Sequence, residues 1–205
     1  MARRTPEEAA QTRQQLIETG LQLFSRQGIE NTTLKQVAQA AGVTHGALYW
    51  HFRNRADLLL QIHHAYELPF EAQYLEQRQG AQQDALAALR QYVMGVLAEF
   101  ARLPAAGAIY KIFYMAATPV ADLAEVEPEL SDNRTLWQDQ LKFFLKQARK
   151  QKQLRKNSSP AALAFCLQAA LSGLLQEWLK SEGRFDLQAE GQMLIDILLA
   201  GLPHK

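Results

Sequence analysis

Apolar residues recur every three to four positions along most of the chain, and this spacing predicts an all-α protein. The first helix begins after Thr5, a residue suited to capping, with Pro6 in its first turn, and Gly28 ends it. Its apolar stripe consists of Leu16, Ile17, Gly20, Leu21 and Phe24. We expect this stripe to pack across the two helices that follow.

Two short helices separated by a tight turn are predicted between Thr33 and Phe52. Thr33 and Gln36 form a capping box for the first helix, and Thr44 caps the second. Gly42 stands where the first helix must stop, because glycine tolerates the left-handed conformation of a C-terminal cap. The inward positions are Leu34, Val37, Ala38, Ala41, Ala47, Leu48 and Phe52. This arrangement is a helix-turn-helix, whose second helix enters the major groove of DNA.

The outward face of the second helix has an unusual composition. An ordinary amphipathic helix fills such a face with Lys and Glu, whereas here it carries hydroxyl, imidazole and indole groups. These groups suit phosphate oxygens and base edges. The outward residues are Thr44, His45, Gly46, Tyr49, Trp50 and His51. The pattern alone also allows an ordinary corner of a helical protein.

A fourth helix begins at Asn54, its cap, and its apolar positions continue to Tyr74. Pro69 lies inside this pattern, so we expect either a kink or a break followed by a new helix. This helix is the only covalent connection between the N-terminal bundle and the rest of the chain. The predicted domains are therefore 1–53, which binds DNA, and 54–205, which binds a ligand and dimerises.

Helical patterns continue from Asp84 onward, interrupted by an acidic stretch at 121–131 that we expect to be irregular. The last two helices, at about 161–180 and 187–202, are apolar nearly all round and must be buried on more than one side. One face is expected to pack on the core and the other on a second subunit; the alternative is that both helices are central core elements. The expected dimer contacts are Leu167, Leu171, Leu174, Leu175, Trp178, Leu194, Ile195 and Leu198.

The positive charge of the 205-residue chain is concentrated in its N-terminal part. The formal net charge is +1, but the residues through Arg55 include seven basic and four acidic side chains. This local excess suits a small reader of duplex DNA. A basic arm, Met1–Arg4, precedes the first helix and either contacts DNA or is a frayed terminus.

Cysteine usage and hydropathy predict a cytoplasmic protein. The single cysteine, Cys166, fits a reducing compartment, and its apolar surroundings predict a buried thiol. The N-terminus is polar and shows no signal peptide. No apolar stretch is expected to reach the roughly 18 to 20 residues of a membrane span, so no membrane partner is predicted.

The segment GVTHGALYWHFRNRADLL, at 42–59, closely resembles the signature of the TetR family of one-component bacterial repressors. The AcrR-like branch, which controls multidrug efflux pumps, is the most similar, and the resemblance covers about 1–66. It implies a homodimer on a pseudo-palindromic double-stranded operator, released by a hydrophobic or cationic small molecule. A regulator of other genes that answers a metabolite remains the alternative. The expected DNA-binding residues are Thr33, Leu34, Thr44, His45, Gly46, Tyr49, Trp50, His51 and Arg55.

His45 departs from the family pattern, because AcrR-like members often carry arginine at this position. Arginine reads guanine with two hydrogen bonds, whereas histidine offers fewer donors. We expect an altered base preference at this position. The alternative is an interaction protein that has lost DNA binding.

Small-molecule sites lie between helices of a bundle and combine apolar walls with a few polar groups. Aromatic and ionisable residues on inward faces are the candidates, and the resemblance supports Glu67 and Tyr114 in particular. The chain lacks the tryptophan commonly found in the family at the position of His63. A buried carboxylate at Glu67 would favour a cationic ligand, with His63 as its partner in the unliganded state. The expected ligand-binding residues are His63, Glu67, Phe70, Tyr74, Phe113, Tyr114, Trp137 and Gln176.

Catalysis is not expected, because the chain has no phosphate-binding glycine loop, no GxSxG elbow and no HExxH or CxxC motif. No cofactor is expected either. His63 and Glu67 alone supply only two metal ligands, so no metal site is predicted.

Overall fold

The computed structural model describes residues 5–115 and 121–201, and this part of the chain contains helices and no strand. The predicted all-α class is confirmed. The basic arm Met1–Arg4 and the expected end of the last helix at Leu202 lie outside the described residues. The α-helices are α1 Pro6–Gln27, α2 Leu34–Ala40, α3 His45–His51, α4 Arg55–Ala65, α5 Phe70–Gln77, α6 Ala85–Arg102, α7 Pro104–Tyr114, α8 Glu127–Lys150, α9 Pro160–Lys180 and α10 Leu187–Ala200. Short 3-10 turns lie at Gly80–Gln82 and Ala121–Leu123.

The capping residues predicted for the first helices are found in place. The Thr5 hydroxyl accepts from the backbone N–H of Glu8, and the Thr33 hydroxyl accepts from that of Gln36. The Asn54 side chain accepts from the backbone N–H of Asp57 at 2.8 Å. Each cap satisfies a donor that the helix itself leaves without a partner.

The predicted long fourth helix is interrupted. Helix α4 ends at Ala65, and α5 begins at Phe70 with Pro69 as its N-cap. Proline lacks a backbone donor and disfavours helical backbone at the residue before it, so the chain breaks here and does not merely kink. Of the two expected outcomes, the structure shows the break.

The acidic stretch at 121–131 is only partly irregular, which corrects the sequence prediction. Helix α8 already begins at Glu127 and places Pro128 and Glu129 in its first turn. Proline is tolerated at that position, and acidic side chains favour a helix N-terminus. The features that suggested a loop are therefore the signature of a helix start.

The chain forms two compact units, and each unit combines two separate segments of the chain. The N-terminal unit comprises residues up to Glu67 together with Ala108–Leu130, and the C-terminal unit comprises Leu68–Gly107 together with the residues from Ser131 onward. The N-terminal unit therefore includes a segment taken from the second half of the chain. The proposed division at 53/54 describes function and stays a prediction.

Helices α9 and α10 each have one buried row and one exposed row in the C-terminal unit. Leu167, Leu171, Leu175 and Ile195 are buried within the single chain. These four belong to its own core, which corrects their assignment to a dimer interface. Leu174, Trp178, Leu194 and Leu198 are half-buried. The outward row contains Phe165, Met193 and Ile197, which are 62%, 58% and 65% exposed.

Two further expectations about this region are wrong. Cys166 is exposed, because it lies on the outward side of α9 beside Phe165. Helix α9 is also long and apolar enough, by length and composition alone, to cross a membrane. One such helix is weak evidence for a span, and an exposed apolar row suits a protein partner equally well.

Candidate DNA-binding and ligand-binding sites

Helix α3 presents its polar and aromatic face from a rigid support. Thr44 caps it by accepting from the backbone N–H of Ala47 at 3.1 Å, and Leu48 on its inner side is fully buried. Gly42, with φ of 66°, makes the turn from α2 in the left-handed conformation that favours glycine. The outward face of α3 is therefore held in one orientation.

The aromatic rings on this face are unusually exposed. Trp50 is 73% exposed and Tyr49 is 49% exposed. The His45 ring packs edge-on against Tyr49, with centroids 4.7 Å apart, which orients the imidazole along the helix. Large exposed apolar groups beside hydrogen-bonding groups mark a contact surface. Five of the outward residues predicted from the sequence, Thr44, His45, Gly46, Tyr49 and Trp50, are exposed together here, and His51 is half-buried.

Helix α1 braces the helix-turn-helix through residues to which the sequence pattern gave no such role. Gln15 donates to the backbone carbonyl of Ala41 at 3.0 Å, at the end of α2. Arg13 donates to the Gln61 side chain, and its guanidinium lies 5.6 Å from the centre of the Phe52 ring. Periodicity could not reveal these contacts, because each joins residues distant in sequence.

The two predicted contacts at the start of α2 differ in their surroundings. Thr33 is exposed and caps the helix. Leu34 is only 8% exposed, so its side chain belongs to the core, and its predicted contact with DNA stays a prediction.

Arg55 is held inside the N-terminal unit by contacts that compete with the predicted phosphate contact. Its guanidinium donates to the backbone carbonyls of Ile29 and Thr32, at 2.9 and 3.1 Å. The same group pairs with Asp122, with Nε 3.1 Å from the carboxylate. Its side chain is 28% exposed. Arg55 therefore ties the loop before α2 to the 3-10 turn at Ala121–Leu123.

A second polar cluster in this unit joins His63, His64 and Glu129. The Glu129 carboxylate lies 3.1 Å from Nδ1 of His63 and 2.9 Å from Nε2 of His64. Burial lowers the pKa of His63 below its ordinary value, opposed by the charge of Glu129. The hydrogen bond from His64 lowers the pKa of Glu129, which keeps this carboxylate ionised. The ring of Phe113 packs edge-on against His63, with centroids 5.2 Å apart.

Glu67 does not have the position that the sequence predicted. It lies in the break between α4 and α5 and is exposed, and the carboxylate that meets His63 is Glu129. The spacing of His63, Glu67, Phe70 and Tyr74, at i, i+4, i+7 and i+11, predicts a shared face only on a continuous helix. The break at Pro69 removes that register.

Several predicted pocket residues gather in the C-terminal unit around buried polar side chains. Phe70 stacks on Trp137 with centroids 4.4 Å apart, and Tyr74 packs edge-on against Phe144. The Tyr92 hydroxyl donates to Oε1 of Gln140 at 2.8 Å. The Gln140 amide in turn donates to Glu71 at 2.5 Å. Burial raises the pKa of Tyr92, so the hydroxyl stays protonated as a donor.

Gln140 and Glu71 are not among the site residues predicted from the sequence. A buried glutamine must have hydrogen-bond partners, and those of Gln140 are Tyr92 and Glu71. Gln140 is 2% exposed, and no periodic signal separates it from a surface glutamine. Its partner Tyr92 lines a small cavity together with Val93, Val96, Leu97, Trp137, Leu171 and Leu175. Gln176 on α9 is half-buried but does not line this cavity.

Tyr114, the other predicted pocket residue on α7, lies in the N-terminal unit with Phe113. Its ring stacks on Tyr110 with centroids 5.3 Å apart. The predicted pocket residues are therefore divided: the N-terminal unit contains His63, Glu67, Phe113 and Tyr114, and the C-terminal unit contains Phe70, Tyr74, Trp137 and Gln176.

Comparison with known proteins identifies the family of this chain. Residues 16–62 match the family described as bacterial regulatory proteins, tetR family. Residues 84–203 match the C-terminal region of the MAATS-type transcriptional repressors. The chain belongs to the TetR family. As in the sequence prediction, this TetR-family chain is a helix-turn-helix transcriptional repressor.

Curated relatives of this TetR-family repressor match along nearly its whole length. The HTH-type transcriptional regulator AcrR of Shigella flexneri is 32% identical over 97% of this chain and 93% of the relative. The repressor BepR of Brucella suis is 31% identical over 98% of this chain and 96% of the relative. A probable acrEF/envCD operon repressor of Escherichia coli is 30% identical over 97% of this chain and 90% of the relative.

Solved structures show the same fold. The crystal structure of NalD, the secondary repressor of the MexAB-OprM multidrug efflux pump in Pseudomonas aeruginosa, superposes with a TM-score of 0.80. It is 24% identical and covers 97% of this chain and 99% of its own. A SmeT–triclosan complex superposes with a TM-score of 0.72 at 24% identity, covering 95% and 93%. The helical TetR architecture is therefore confirmed at the level of the whole chain.

Proposed function

We propose that this repressor binds its operator as a homodimer and inserts α3 of each subunit into the major groove. The exposed face of α3, from His45 to Trp50, carries this proposal, because it combines base-reading groups with a fully buried support at Leu48. Two copies of such a helix read half-sites about 34 Å apart on a pseudo-palindromic sequence.

The proposed target is a multidrug efflux operon. The proposed location of the repressor is the bacterial cytoplasm. Support comes from the relatives: one is a probable repressor of the acrEF/envCD operon, and the similarity runs along the whole chain. The fold is also that of NalD, the secondary repressor of a multidrug efflux pump.

The proposed dimer surface is the outward row of α9 and α10. Phe165, Met193 and Ile197 are exposed in the single chain, which is costly for residues of this size unless a partner covers them. Half-buried Leu174, Leu194 and Leu198 lie on the same two helices. A second copy that packs these helices against its own would bury both rows by two-fold symmetry.

Replacing Met193 and Ile197 together by glutamate is expected to convert the dimer to a monomer, because two charges on each subunit would face an apolar partner. Sedimentation equilibrium measures the mass. Leu75→Glu is the matched control, because Leu75 is 51% exposed and belongs to a different helix, α5. A double variant that stays dimeric would contradict the proposed surface.

The proposed inducer is an apolar, planar molecule, neutral or cationic, that binds beside the Phe70–Trp137 stack. The aromatic faces offer stacking surface, and Gln140 and Glu71 offer a donor, an acceptor and a negative charge nearby. The inducer must bind the DNA-incompetent state more tightly, since equal affinity for both states would shift nothing.

A titration of DNA from upstream of its own gene tests this function, by fluorescence anisotropy at two salt concentrations, with and without a panel of cationic and neutral aromatic drugs. Tight, salt-sensitive binding that a drug relieves is the expected result. Trp137→Leu should reduce the response to the drug while leaving operator affinity unchanged. Binding that no drug relieves would remove the inducer proposal and leave the repressor. Absence of specific binding to any sequence in a random-DNA selection would contradict the function.

His45→Ala is expected to weaken the preference for one base at one position of each half-site. The free-energy difference between the preferred base and the other bases should fall by roughly 1–3 kcal/mol. The reason is that the Tyr49 ring orients the imidazole on the exposed face of α3. Binding to the operator and to its single-base variants measures the effect. Arg53→Ala, which alters a 79% exposed cation, should instead weaken all sequences equally. A uniform loss for His45→Ala would contradict base reading.

A further inference from the structure

The cluster of His63, His64 and Glu129 has the composition of a metal site. Among the described residues it is the one group of three His, Cys, Asp or Glu side chains whose ligand atoms all lie within 4.8 Å of one another. Two imidazole nitrogens and one carboxylate form a donor set that zinc uses with a water as the fourth ligand. We propose that these three residues bind a divalent transition metal, with zinc as the ion they suit best.

The distances within the cluster are close to those that zinc requires. Donors at the usual zinc bond lengths of about 2.0–2.2 Å lie roughly 3.3–3.6 Å apart in a tetrahedron. In the structure, Oε2 of Glu129 lies 3.1 Å from Nδ1 of His63 and 2.9 Å from Nε2 of His64. Side-chain movements of a few tenths of an ångström would bring these two nitrogen–oxygen distances into that range.

Two adjacent histidines converge on one carboxylate because they use different ring nitrogens. Side chains of neighbouring residues on a helix point about 100° apart, so the same ring nitrogen of the two histidines would lie in different directions from the helix. His63 presents Nδ1, which is close to its backbone, whereas His64 presents Nε2 at the far end of the ring. Nδ1 of His63 and Nε2 of His64 therefore both lie close to the Glu129 carboxylate.

The surroundings of the cluster favour a bound ion over a hydrated surface contact. The His63 side chain is only 11% exposed and packs edge-on against Phe113, which shields one side of the site. Glu129 lies in the first turn of α8, where Pro128 restricts the backbone. His64 and Glu129 remain 47% and 43% exposed, which leaves a path for the ion and for a water ligand.

The site was invisible in the sequence because its third ligand lies 65 residues beyond His64. The pair considered from helical spacing, His63 and Glu67, is not formed, since Glu67 lies in the break after α4. An ion at His63, His64 and Glu129 would fix α4 to the first turn of α8, both within the N-terminal unit.

Zinc titration of the untagged, chelator-treated full-length protein tests the proposal, using a chromophoric competitor for affinity and native mass spectrometry for stoichiometry. One zinc ion per chain is expected, together with a rise in the melting temperature, because a ligand that binds only the folded state stabilises it. His64→Ala and Glu129→Gln should each weaken zinc binding by at least about tenfold and abolish the stabilisation. Circular dichroism verifies that both variants are folded.

Glu125→Gln is the matched control, since it removes a neighbouring exposed carboxylate that lies outside the cluster. It should bind zinc as the unaltered protein does. Zinc bound with equal affinity by Glu129→Gln and the unaltered protein would overturn the proposal. Failure of the unaltered protein to bind zinc would overturn it as well. Neither result bears on operator binding, so this test is independent of the proposed function.

Discussion

Arg55→Ala is expected to destabilise the protein by roughly 2–4 kcal/mol without changing the salt dependence of operator binding. The guanidinium satisfies the carbonyls of Ile29 and Thr32 and neutralises Asp122. Its removal takes a charged donor away from all three acceptors in a partly buried place. The loss therefore appears in folding of the N-terminal unit and only indirectly in DNA affinity.

Urea denaturation followed by circular dichroism measures the stability, and anisotropy titrations at several salt concentrations measure the slope of affinity against salt. Arg53→Ala is the comparison, because Arg53 is 79% exposed and available to a phosphate. It should change stability little, as exposed ion pairs contribute about 0–1 kcal/mol, and should reduce the salt slope by about one. A reduced slope with unchanged stability for Arg55→Ala would restore the phosphate contact that the sequence predicts.

Gly46→Leu is expected to reduce operator affinity on the order of 30- to 100-fold while leaving the fold intact or slightly more stable. Gly46 lies in α3, where glycine costs up to about 1 kcal/mol relative to alanine. Nothing in the described chain requires glycine there, since an added Cβ would meet no atom within 4 Å. The proposed insertion of α3 into the major groove would bring the helix backbone close to DNA, and a glycine at this position permits that approach.

Stability is measured by thermal unfolding and affinity by anisotropy with the operator. Gly46→Ala provides a graded comparison, with a smaller loss of affinity and a small gain in stability. Ala10→Leu is the matched control, because it adds the same apolar bulk to an exposed position of α1. Unchanged operator affinity for Gly46→Leu would mean that α3 does not enter the groove as proposed.

The local structure of the N-terminal half follows directly from the sequence. The caps at Thr5, Thr33, Thr44 and Asn54 were each predicted and each found, and so was the turn at Gly42. These signals are local: a capping side chain bonds to a backbone group two or three residues away, and glycine meets a demand of its own backbone. The family resemblance of this segment followed from the same residues.

Charged side chains were harder to place, because their partners lie far along the chain. Arg55 was assigned to DNA from its position at a helix start, yet its ionic partner is Asp122. Glu67 was assigned to His63 from helical spacing, yet the partner is Glu129. Both partners lie in the acidic stretch at 121–131, and the composition of this stretch does not indicate which distant side chains it contacts.

The sequence by itself determined the all-α class, the caps of the first helices, the exposed polar and aromatic face of α3 and the family, because propensity, capping and periodicity act within a few residues. Only the tertiary structure decided which apolar rows of α9 and α10 are core and which are exposed, since both rows consist of the same residue types. It also brought Glu129 to the two histidines and Gln140 to Tyr92. Such contacts depend on how distant helices pack, and no local signal in the chain encodes that packing.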